Sequence, residues 1–326
     1  MTQFAPAANC RISVAICTYN GERYLRDQLE SINAQTLQPL EVVICDDGST
    51  DGTLAIAANY QRGVQFDVRV VRNTTNLGVV RNFEKAVSLC RGELIALADQ
   101  DDVWYPNKLK SLSEYMFQNP TRGGVFCDAD IIDDRSQTTG EHLWDLFRFG
   151  ENEQRLFDRG DGAHLLCLGE FVTGATLMFR TSLRPYLLPV GGGWLHDGWF
   201  AWMLILYSHL GYIPERLMAY RVHSAQQSGV GPRHLRQRLA KMCQSLAPVH
   251  AEKARRFESL RARCSEWGGC REETLADITE LIEFCRMRSS LPGAALSRAA
   301  CVLPKIPLYR RYSRWIRAIA RDIVQG

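Results

Sequence analysis

The feature that most constrains the fold of this 326-residue chain is an alternation of short apolar runs with amphipathic runs. Runs rich in β-branched residues predict strands at residues 12–17, 41–45, 68–71 and 94–98, with further strands at 123–127 and 171–179. The intervening and following runs predict helices at residues 22–35, 51–60, 79–90 and 106–117. Strands that alternate with helices indicate βαβ units, and hence an α/β fold with a mostly parallel sheet flanked by helices.

Polar and acidic residues follow three of the predicted strands, at the point where each strand ends. Residues 18–21 read Thr-Tyr-Asn-Gly, residues 46–52 read Asp-Asp-Gly-Ser-Thr-Asp-Gly, and residues 99–102 read Asp-Gln-Asp-Asp. Ligands of open parallel sheets bind beyond the carboxyl ends of the strands. We therefore expect the acidic groups to converge on one edge of the sheet and to form a ligand site there.

Asp99, Asp101 and Asp102 place three carboxylates within four residues, directly after an apolar strand. Like charges at this spacing repel each other, and a divalent cation relieves the repulsion. Mg²⁺ and Mn²⁺ prefer oxygen ligands, and Mg²⁺ is usually held by one or two carboxylates together with phosphate oxygens. The segment therefore predicts a site for Mg²⁺ or Mn²⁺. The alternative is a solvated acidic turn in which Asp102 caps the following helix.

Asp47 and Tyr19 are candidates for contact with a nucleobase, Asp47 as an acceptor from a base N–H and Tyr19 as a stacking ring. Each also has a structural alternative, because Asp before Gly48 is typical of a tight turn and a single Tyr commonly packs in a core. The sequence contains neither GxGxxG after a strand nor GxxxxGK[ST], so the dinucleotide fingerprint and the P-loop are missing. Phosphate charge is then left to a metal or to Arg72 or Arg81, each of which could equally be a solvated surface side chain.

Four segments together resemble family 2 glycosyltransferases of the GT-A fold. They are residues 12–21 (ISVAICTYNG), 42–53 (VVICDDGSTDGT), 76–78 (NLG) and 97–106 (LADQDDVWYP), and the resemblance covers residues 11–230. It implies a Rossmann-like sheet and an inverting, metal-dependent transferase that uses a nucleotide-diphosphate sugar. The DQDDVW form is most similar to members that build bacterial surface polysaccharide, rhamnosyltransferase-like ones among them. A hexosyl- or deoxyhexosyltransferase acting on a glycan or lipid-linked acceptor is therefore expected.

The resemblance also implies roles for individual residues. The residues expected to contact the donor are Thr18, Tyr19, Asp47, Arg81, Asp99 and His223. Asp99 and Asp101 correspond to the DxD motif of the family, and together with Asp102 they are the expected metal ligands. His223 ends a Tyr-Arg-Val-His segment similar to one that lies near the donor phosphates in the family, and a purely structural role is its alternative.

Asp197 is the expected general base, because the family places an acidic residue before an aromatic helix and His-Asp-Gly-Trp at residues 196–199 fits that position. Such a carboxylate takes the proton of the acceptor hydroxyl while the metal stabilises the departing diphosphate. The family often has Glu-Asp-Trp here, so His196 and Gly198 depart from the pattern. The alternative is that Asp197 only caps the following apolar helix.

Charge divides the chain into two predicted parts, a catalytic domain at residues 1–230 and a basic helical extension at residues 231–326. The first part holds 20 Lys and Arg against 27 Asp and Glu, and the second holds 19 against 9. A helix predicted at residues 308–324 has apolar residues on one face and arginines on the other. Such a helix fits an anionic membrane surface, although packing of its apolar face on the main domain is an equal alternative.

The remaining sequence features indicate a cytoplasmic enzyme, located in the cytoplasm or peripherally on the inner face of the cytoplasmic membrane. The eleven cysteines are scattered, with no CxxC pair, as is typical of a reducing compartment. The first ten residues do not resemble a signal peptide, and the apolar run at residues 199–213 is short and predicts a buried helix. No nucleic-acid partner is expected.

Two other functions fit the same sheet and carboxylates. A metal-dependent nucleotidyltransferase would usually carry a glycine-rich loop with Arg or Lys after the first strand, where this chain has Thr-Tyr-Asn-Gly-Glu-Arg. A non-catalytic nucleotide-sugar-binding subunit would be favoured by broken carboxylate motifs, and here they are intact.

Overall fold

A computed structural model of the chain describes residues 11–224, 226, 246–270, 272–313 and 315–324. These residues form two compact units. The first, which we call the sheet unit, consists of the described residues up to Leu146 together with Val172–Val190 and Leu195–Val222. The second, the helical unit, consists of Phe147–Phe171, Gly191–Trp194 and the described residues from His223 onward.

Nine strands are present in the described residues: β1 (Ile12–Thr18), β2 (Glu41–Asp46), β3 (Asp67–Arg72), β4 (Leu94–Ala98), β5 (Val103–Trp104), β6 (Gly124–Ile132), β7 (Thr138–His142), β8 (Leu177–Arg180) and β9 (Leu210–Arg221). The α-helices are α1 (Leu25–Asn33), α2 (Thr53–Gly63), α3 (Val79–Leu89), α4 (Lys108–Gln118), α5 (Leu143–Phe147), α6 (Glu151–Asp158), α7 (Gly162–Leu168), α8 (Arg184–Leu187), α9 (His196–Tyr207), α10 (Ala247–Trp267), α11 (Glu272–Ser289), α12 (Ala295–Val302), α13 (Ile306–Tyr312) and α14 (Trp315–Val324).

All nine strands belong to one sheet with the order β3-β2-β1-β4-β8-β6-β9-β5, and β7 pairs with β6. Strands β1 to β4 are parallel, as the sequence predicts. Strand β8 is antiparallel to both β4 and β6, and β9 is parallel to β6. The carboxyl ends of β1, β2, β4 and β9 therefore emerge at the same edge of the sheet, which we call the acidic edge.

Glu41 stabilises the opposite edge, at the amino end of β2. Its completely buried carboxylate accepts hydrogen bonds from the Ser13 hydroxyl (2.6 Å), the Arg91 N–H (2.6 Å) and the guanidinium of Arg69 (2.8 Å). Burial alone would raise the pKa of Glu41, but these hydrogen bonds and the two nearby arginines outweigh it and hold the pKa below its usual value.

The apolar run at residues 199–213 is not one buried helix, and that prediction was wrong. Helix α9 starts earlier, at His196, and ends at Tyr207, and β9 begins three residues later. Both elements are buried in the sheet unit, and periodicity alone does not separate a buried helix from a buried strand. The difference matters for the site, because β9 carries Arg221 to the acidic edge.

Two other predicted elements differ in extent. The strand expected at residues 171–179 is shorter and covers only Leu177–Arg180, after a 3₁₀ turn at Gly174–Thr176. The helix expected at residues 308–324 is interrupted at Ser313, whose backbone is extended (φ −153°, ψ 172°), so α13 and α14 are separate helices.

The helical unit is held together partly by aromatic side chains from segments that the sequence assigned to the catalytic domain. Phe149 and Phe171 stack at 4.5 Å, and Trp194 meets Phe257 of α10 edge to face at 5.2 Å. The predicted boundary at residue 230 lies outside the described residues and stays a prediction. Within the described part of the chain, no helix is both long and apolar enough to cross a bilayer.

Candidate active site

Asp46, the last residue of β2, organises the turn that follows it. Its carboxylate accepts hydrogen bonds from the backbone N–H groups of Gly48 (3.1 Å) and Ser49 (2.9 Å) and from the hydroxyls of Ser49 (2.5 Å) and Thr18 (3.0 Å). Thr18, one of the predicted donor contacts, is therefore buried and bonded to the neighbouring strand end. Its side chain joins the ends of β1 and β2.

Asp47 is the next residue of this turn, and its carboxylate bonds to residues 73–78 rather than to the turn itself. Its buried carboxylate accepts hydrogen bonds from the Asn73 amide (2.8 Å) and from the N–H groups of Leu77 (2.8 Å) and Gly78 (2.9 Å). A carboxylate has about four acceptor positions. Asn73, Leu77 and Gly78 occupy three of these positions on Asp47, so one position remains for an N–H group of a ligand. A nucleobase contact through Asp47 stays a prediction that this geometry permits.

Gln100 joins the turn after β1 to the turn after β4. Its side-chain oxygen accepts from the Tyr19 N–H (2.9 Å), and its amide nitrogen donates to the Tyr19 carbonyl (3.2 Å). A Cβ on Gly21 would lie only 2.2 Å from the Gln100 oxygen, so glycine is required for this approach. Tyr19 itself is exposed, which leaves its ring accessible for the predicted stacking. The sequence did not single out Gln100, because it bears no charge.

The acidic turn after β4 concentrates charge at the acidic edge. The side chains of Asp99 and Asp101 are partly exposed. The pKa of Asp99 is raised to about 7, first because the surrounding protein disfavours the charged form and then because Asp101 and Asp197 repel it. Asp197 therefore acts electrostatically on the same turn, as expected for residues of one site.

Asp102 is fully buried, which the sequence did not predict. One oxygen accepts the Arg221 N–H at 3.0 Å, and the other has no hydrogen-bond partner among the described residues. Burial, followed by the charges of Asp101 and Asp99, raises the pKa of Asp102 well above its usual value. An unpaired buried carboxyl oxygen next to two partly exposed carboxylates fits a hard divalent cation.

Across the described ranges, no three acidic, histidine or cysteine side chains converge closely enough to hold a metal ion by themselves. A cation at the acidic turn would therefore need further oxygens from a bound ligand or from water, which is how Mg²⁺ is usually held.

Arg221 is a residue of the candidate site to which sequence reasoning gave no role of its own. This fully buried side chain donates from Nε to the Asp101 carbonyl (2.7 Å) and from its terminal nitrogens to the Ser136 hydroxyl (2.7 Å) and to Asp27 (3.2 Å). Its guanidinium also lies 4.6 Å from the centre of the Tyr24 ring. Arg221 thus holds the backbone of the acidic turn against α1 and the turn after β6.

Lys108 is a second residue that the sequence did not indicate. It is fully buried below the acidic turn, where its ammonium donates to the Ala175 carbonyl (2.5 Å) and lies 4.0 Å from the centre of the Trp104 ring. Burial lowers the pKa of Lys108 to about 8, against the opposing influence of Cys127, Asp102 and Asp99. A buried cation therefore offsets part of the negative charge that the turn concentrates.

Asp197 lies in the first turn of α9, partly exposed, and accepts a hydrogen bond from the Gly198 N–H (2.7 Å). The preceding His196 is buried and stacks on Phe83 with ring centres 3.9 Å apart. Burial lowers the pKa of His196 to about 3, so its ring is neutral. Its departure from the family pattern thus has a packing role, since His196 fixes the start of the helix that presents Asp197.

Tyr220 lies at the end of β9, close to the carboxylates of the acidic edge. It is buried, and its pKa is raised well above the usual value, first by burial and then by the charges of Asp102, Asp99, Asp101 and Asp197. The metal-ligand and general-base candidates therefore all act on the end of β9, and they all belong to the sheet unit.

The remaining predicted residues lie as follows. Arg81 is exposed in the first turn of α3 and forms an ion pair with Glu84 at 2.7 Å. His223 directly follows the sheet unit and is grouped with the helical unit, where its N–H donates to the Gln226 side chain at 3.3 Å. The roles assigned to both residues stay predictions.

Comparison with known proteins agrees with this geometry. The chain is 28% identical over 219 residues to an uncharacterized glycosyltransferase of Nostoc sp., and the alignment spans 66% of each protein, just under two thirds of the relative. The structure of residues 1–349 of S. aureus TarS in complex with UDP-GlcNAc covers 96% of the chain and 88% of that TarS segment, with a TM-score of 0.55 and 18% identity. The mannosyltransferase PcManGT of Pyrobaculum calidifontis, in complex with GDP-Man and Mn²⁺, covers 99% of the chain and 89% of PcManGT, with a TM-score of 0.53 and 17% identity.

At these identities the two solved structures establish the fold, which is the expected GT-A fold. The sequence profile of glycosyl transferase family 2 matches residues 13–183, more than half of the chain. This segment contains the turns after β1, β2 and β4, with Tyr19, Asp47 and the carboxylates of the acidic turn. The chain belongs to glycosyltransferase family 2.

Proposed function

We propose that the protein is an inverting, metal-dependent glycosyltransferase that moves a hexosyl or deoxyhexosyl group from a nucleotide-diphosphate sugar to a glycan or lipid-linked acceptor. The observation that carries this proposal is the position of Asp99, Asp101 and the buried Asp102 at the carboxyl edge of the sheet, with one Asp102 oxygen lacking a hydrogen-bond partner among the described residues. The charge of Asp197 also helps to raise the pKa of Asp99 at this edge. A base for the acceptor hydroxyl and a group of ligands for a cation thereby meet at one sheet edge. Neither a nucleotidyltransferase nor a non-catalytic subunit is favoured by a particular observation.

In this mechanism Asp47 accepts a hydrogen bond from the nucleobase at its remaining acceptor position, and the exposed Tyr19 ring stacks on the base. The structures of TarS and PcManGT are complexes with UDP-GlcNAc and with GDP-Man, which supports a nucleotide-sugar donor for this chain. Asp197 takes the proton of the acceptor hydroxyl as that oxygen attacks the anomeric carbon from the face opposite the diphosphate, and the configuration inverts.

Mg²⁺ or Mn²⁺ would be held by Asp99 and Asp101, with Asp102 as a further ligand, and would stabilise the charge of the departing diphosphate. The Mn²⁺ named with PcManGT supports this assignment. Around the cation, Arg221 fixes the turn that carries the carboxylates, and Lys108 offsets part of their charge. Arg81 and His223 are the candidate contacts for the diphosphate.

We further propose a role in bacterial surface polysaccharide synthesis, with the protein located in the cytoplasm or bound peripherally to the inner face of the cytoplasmic membrane. The DQDDVW sequence of the acidic turn supports the first part, and the basic C-terminal segment supports the second. A lipid-linked acceptor would be met at that membrane surface.

The donor is identified by thermal shift with a panel of nucleotide sugars that differ in base and sugar, in the presence of Mn²⁺. A donor at one hundred times its dissociation constant stabilises the folded protein by about 2.7 kcal/mol. Chelation with EDTA should abolish transfer, and Mg²⁺ or Mn²⁺ should restore it. Full transfer in excess EDTA would refute the metal requirement, and absence of any stabilising nucleotide sugar would refute the donor class.

The variant Asp197→Asn separates binding from chemistry. We expect its turnover to fall by about 10²–10⁴-fold, the usual contribution of general base catalysis, with donor affinity unchanged. Asp47→Ala should instead weaken donor binding. Asp145→Asn, which alters an exposed carboxylate on α5, is the matched control and should leave both quantities unchanged. Wild-type turnover in Asp197→Asn would show that another group is the base.

A further inference from the structure

The C-terminal helices of the helical unit expose large apolar side chains. Leu296 of α12 is 87% exposed, Val324 and Ile316 of α14 are 72% and 64% exposed, and Leu303 just after α12 is 52% exposed. The first three are the most exposed large hydrophobic side chains in the described ranges. Single exposed apolar residues are common, whereas several of them within one short segment make that segment a candidate interaction surface.

The orientation of α14 is fixed, so its outer face is well defined. Asp322 points inward and is completely buried, where its carboxylate accepts from the Arg288 guanidinium (2.6 and 2.8 Å) and from the Tyr309 hydroxyl. Arg298 of α12 donates to the carbonyls of Ile323 (2.9 Å) and Val324 (3.1 Å) at the end of α14. Both contacts hold the helix against its neighbours.

Because Asp322 faces inward, helical spacing directs Ile316, Ala320 and Val324 outward, and all three are exposed. Arg317 is exposed on the same side. The sequence predicted apolar residues and arginines on opposite faces of this helix, whereas the structure places Arg317 on the same side as Ile316 and Val324. The outer face of α14 is itself apolar and carries a cation.

The charge of the segment is strongly one-sided. Residues 295–326 contain seven arginines and lysines and a single acidic residue, Asp322, whose charge is paired inside the unit with Arg288. Lys305, Arg310 and Arg317 are exposed. Exposed apolar side chains interspersed with cations are typical of surfaces that lie in the headgroup region of an anionic membrane.

We infer that the outer surface of α12–α14, carrying Leu296, Leu303, Ile316 and Val324 with Lys305 and Arg317, is a docking surface for an anionic lipid bilayer. The inference deepens the peripheral location proposed above and rests on it. A second copy of the chain is a poorer occupant, because pairing two such surfaces would bring like charges together.

Co-sedimentation tests this surface with vesicles of phosphatidylcholine that contain about 30 mol% phosphatidylglycerol, and with vesicles of phosphatidylcholine alone. We expect the full-length protein to bind the anionic vesicles at low salt and to dissociate as salt screens the attraction. Arg317→Gln should weaken partitioning about fivefold, which corresponds to about 1 kcal/mol for one cation near the surface. Ile316→Asp and Val324→Asp should each weaken it about tenfold or more.

Two matched controls separate the surface from general effects. Val249→Asp changes an apolar side chain on α10 that is 51% exposed, and Arg255→Gln removes an exposed cation from the same helix. Neither control should alter vesicle binding. Circular dichroism establishes that all variants are folded, and sedimentation velocity without vesicles reports their oligomeric state.

The outcomes separate this inference from the proposed function. Absence of vesicle binding at low salt overturns the docking surface, as does wild-type binding by Ile316→Asp and Val324→Asp. A dimer that dissociates in these two variants, without vesicle binding, would assign the surface to a second copy. The transferase assignment is tested independently by donor binding in solution, and Asp197→Asn should bind vesicles like the wild type even though its turnover is strongly reduced.

Discussion

Arg221 provides the most demanding test of how the acidic edge is built. Replacement by Met keeps an unbranched side chain of similar length and removes every hydrogen bond that the guanidinium makes. The Asp101 carbonyl would then lose its partner at 2.7 Å, whereas Ser136 is exposed and Asp27 is 48% exposed, so both regain water. Each buried polar group left without a partner costs about 1–3 kcal/mol. Loss of the contact between the guanidinium and the Tyr24 ring adds about 0.5–2 kcal/mol. We therefore expect Arg221→Met to lower the free energy of unfolding by about 1.5–5 kcal/mol.

Arg221→Lys keeps the positive charge but loses the planar fork of donors. We expect a smaller loss of stability, about 1–3 kcal/mol, because one ammonium cannot reach Asp101, Ser136 and Asp27 together. The effect specific to the site is on ligand binding. If about 1.4 kcal/mol is needed to restore the loosened acidic turn before donor and metal bind, donor affinity falls tenfold in a protein that is still folded.

Urea unfolding measures the first effect, and isothermal titration with the identified donor and Mn²⁺ measures the second. Arg180→Lys is the matched control, because Arg180 donates to the carbonyls of Arg122 and Met116 from the opposite end of the sheet, beside Leu94 at the start of β4. It should lower stability without changing donor affinity. Wild-type donor affinity and turnover in folded Arg221→Lys and Arg221→Met would refute a positioning role.

Two further predictions concern the two ends of the sheet. Gly21→Ala should displace Gln100 from its two hydrogen bonds, lower the free energy of unfolding by about 1–2 kcal/mol and weaken donor binding. In the control Gly63→Ala the added Cβ meets nothing within 4 Å, so stability and donor binding should both be unchanged. The depressed pKa of Glu41 stabilises the fold above its unfolded pKa of about 4.3, and this stabilisation is lost as pH falls through the folded pKa. The free energy of unfolding of Glu41→Gln should therefore change less than that of the wild type between pH 7 and pH 3. Urea unfolding at several pH values measures this change, and an equal dependence on pH in the two proteins would contradict the linkage.

The sequence was sufficient to predict the first half of the fold and the location of the acidic turn. Strands β1, β2 and β4 are short apolar runs with polar ends, and their helices carry one apolar face, so local pattern and tertiary role agree. The parallel order then requires the carboxyl ends to meet at one edge. Convergence of residues 18–21, 46–52 and 99–102 followed from this argument without knowledge of any side-chain contact.

The roles of Arg221 and Lys108 could not be predicted in the same way. Arg221 lies 120 residues from Asp101, and only the pairing of β9 with β6 and β5 brings the two together. Residues 210–213, the start of β9, were predicted as part of a helix, which conceals that pairing. Lys108 lies in the first turn of an amphipathic helix, where a lysine is usually solvated, and its burial depends on the packing of β9 and of the 3₁₀ turn at Gly174–Thr176.

Hydrogen bonds between the turns of the acidic edge hold its carboxylates in place against their mutual repulsion. These bonds connect the carboxyl ends of β1, β2, β4 and β9, with the turns that follow them, to one another. Thr18 binds Asp46 across β1 and β2, Gln100 binds Tyr19 across β1 and β4, and the Arg221 side chain binds the Asp101 carbonyl across β9 and β4. These hydrogen bonds do not involve the Asp99 carboxylate, so they oppose the repulsion at Asp99 whatever its charge. A cation and a diphosphate would then bind to a turn that is already in position, and the cost of ordering it would be met on folding rather than in each catalytic cycle.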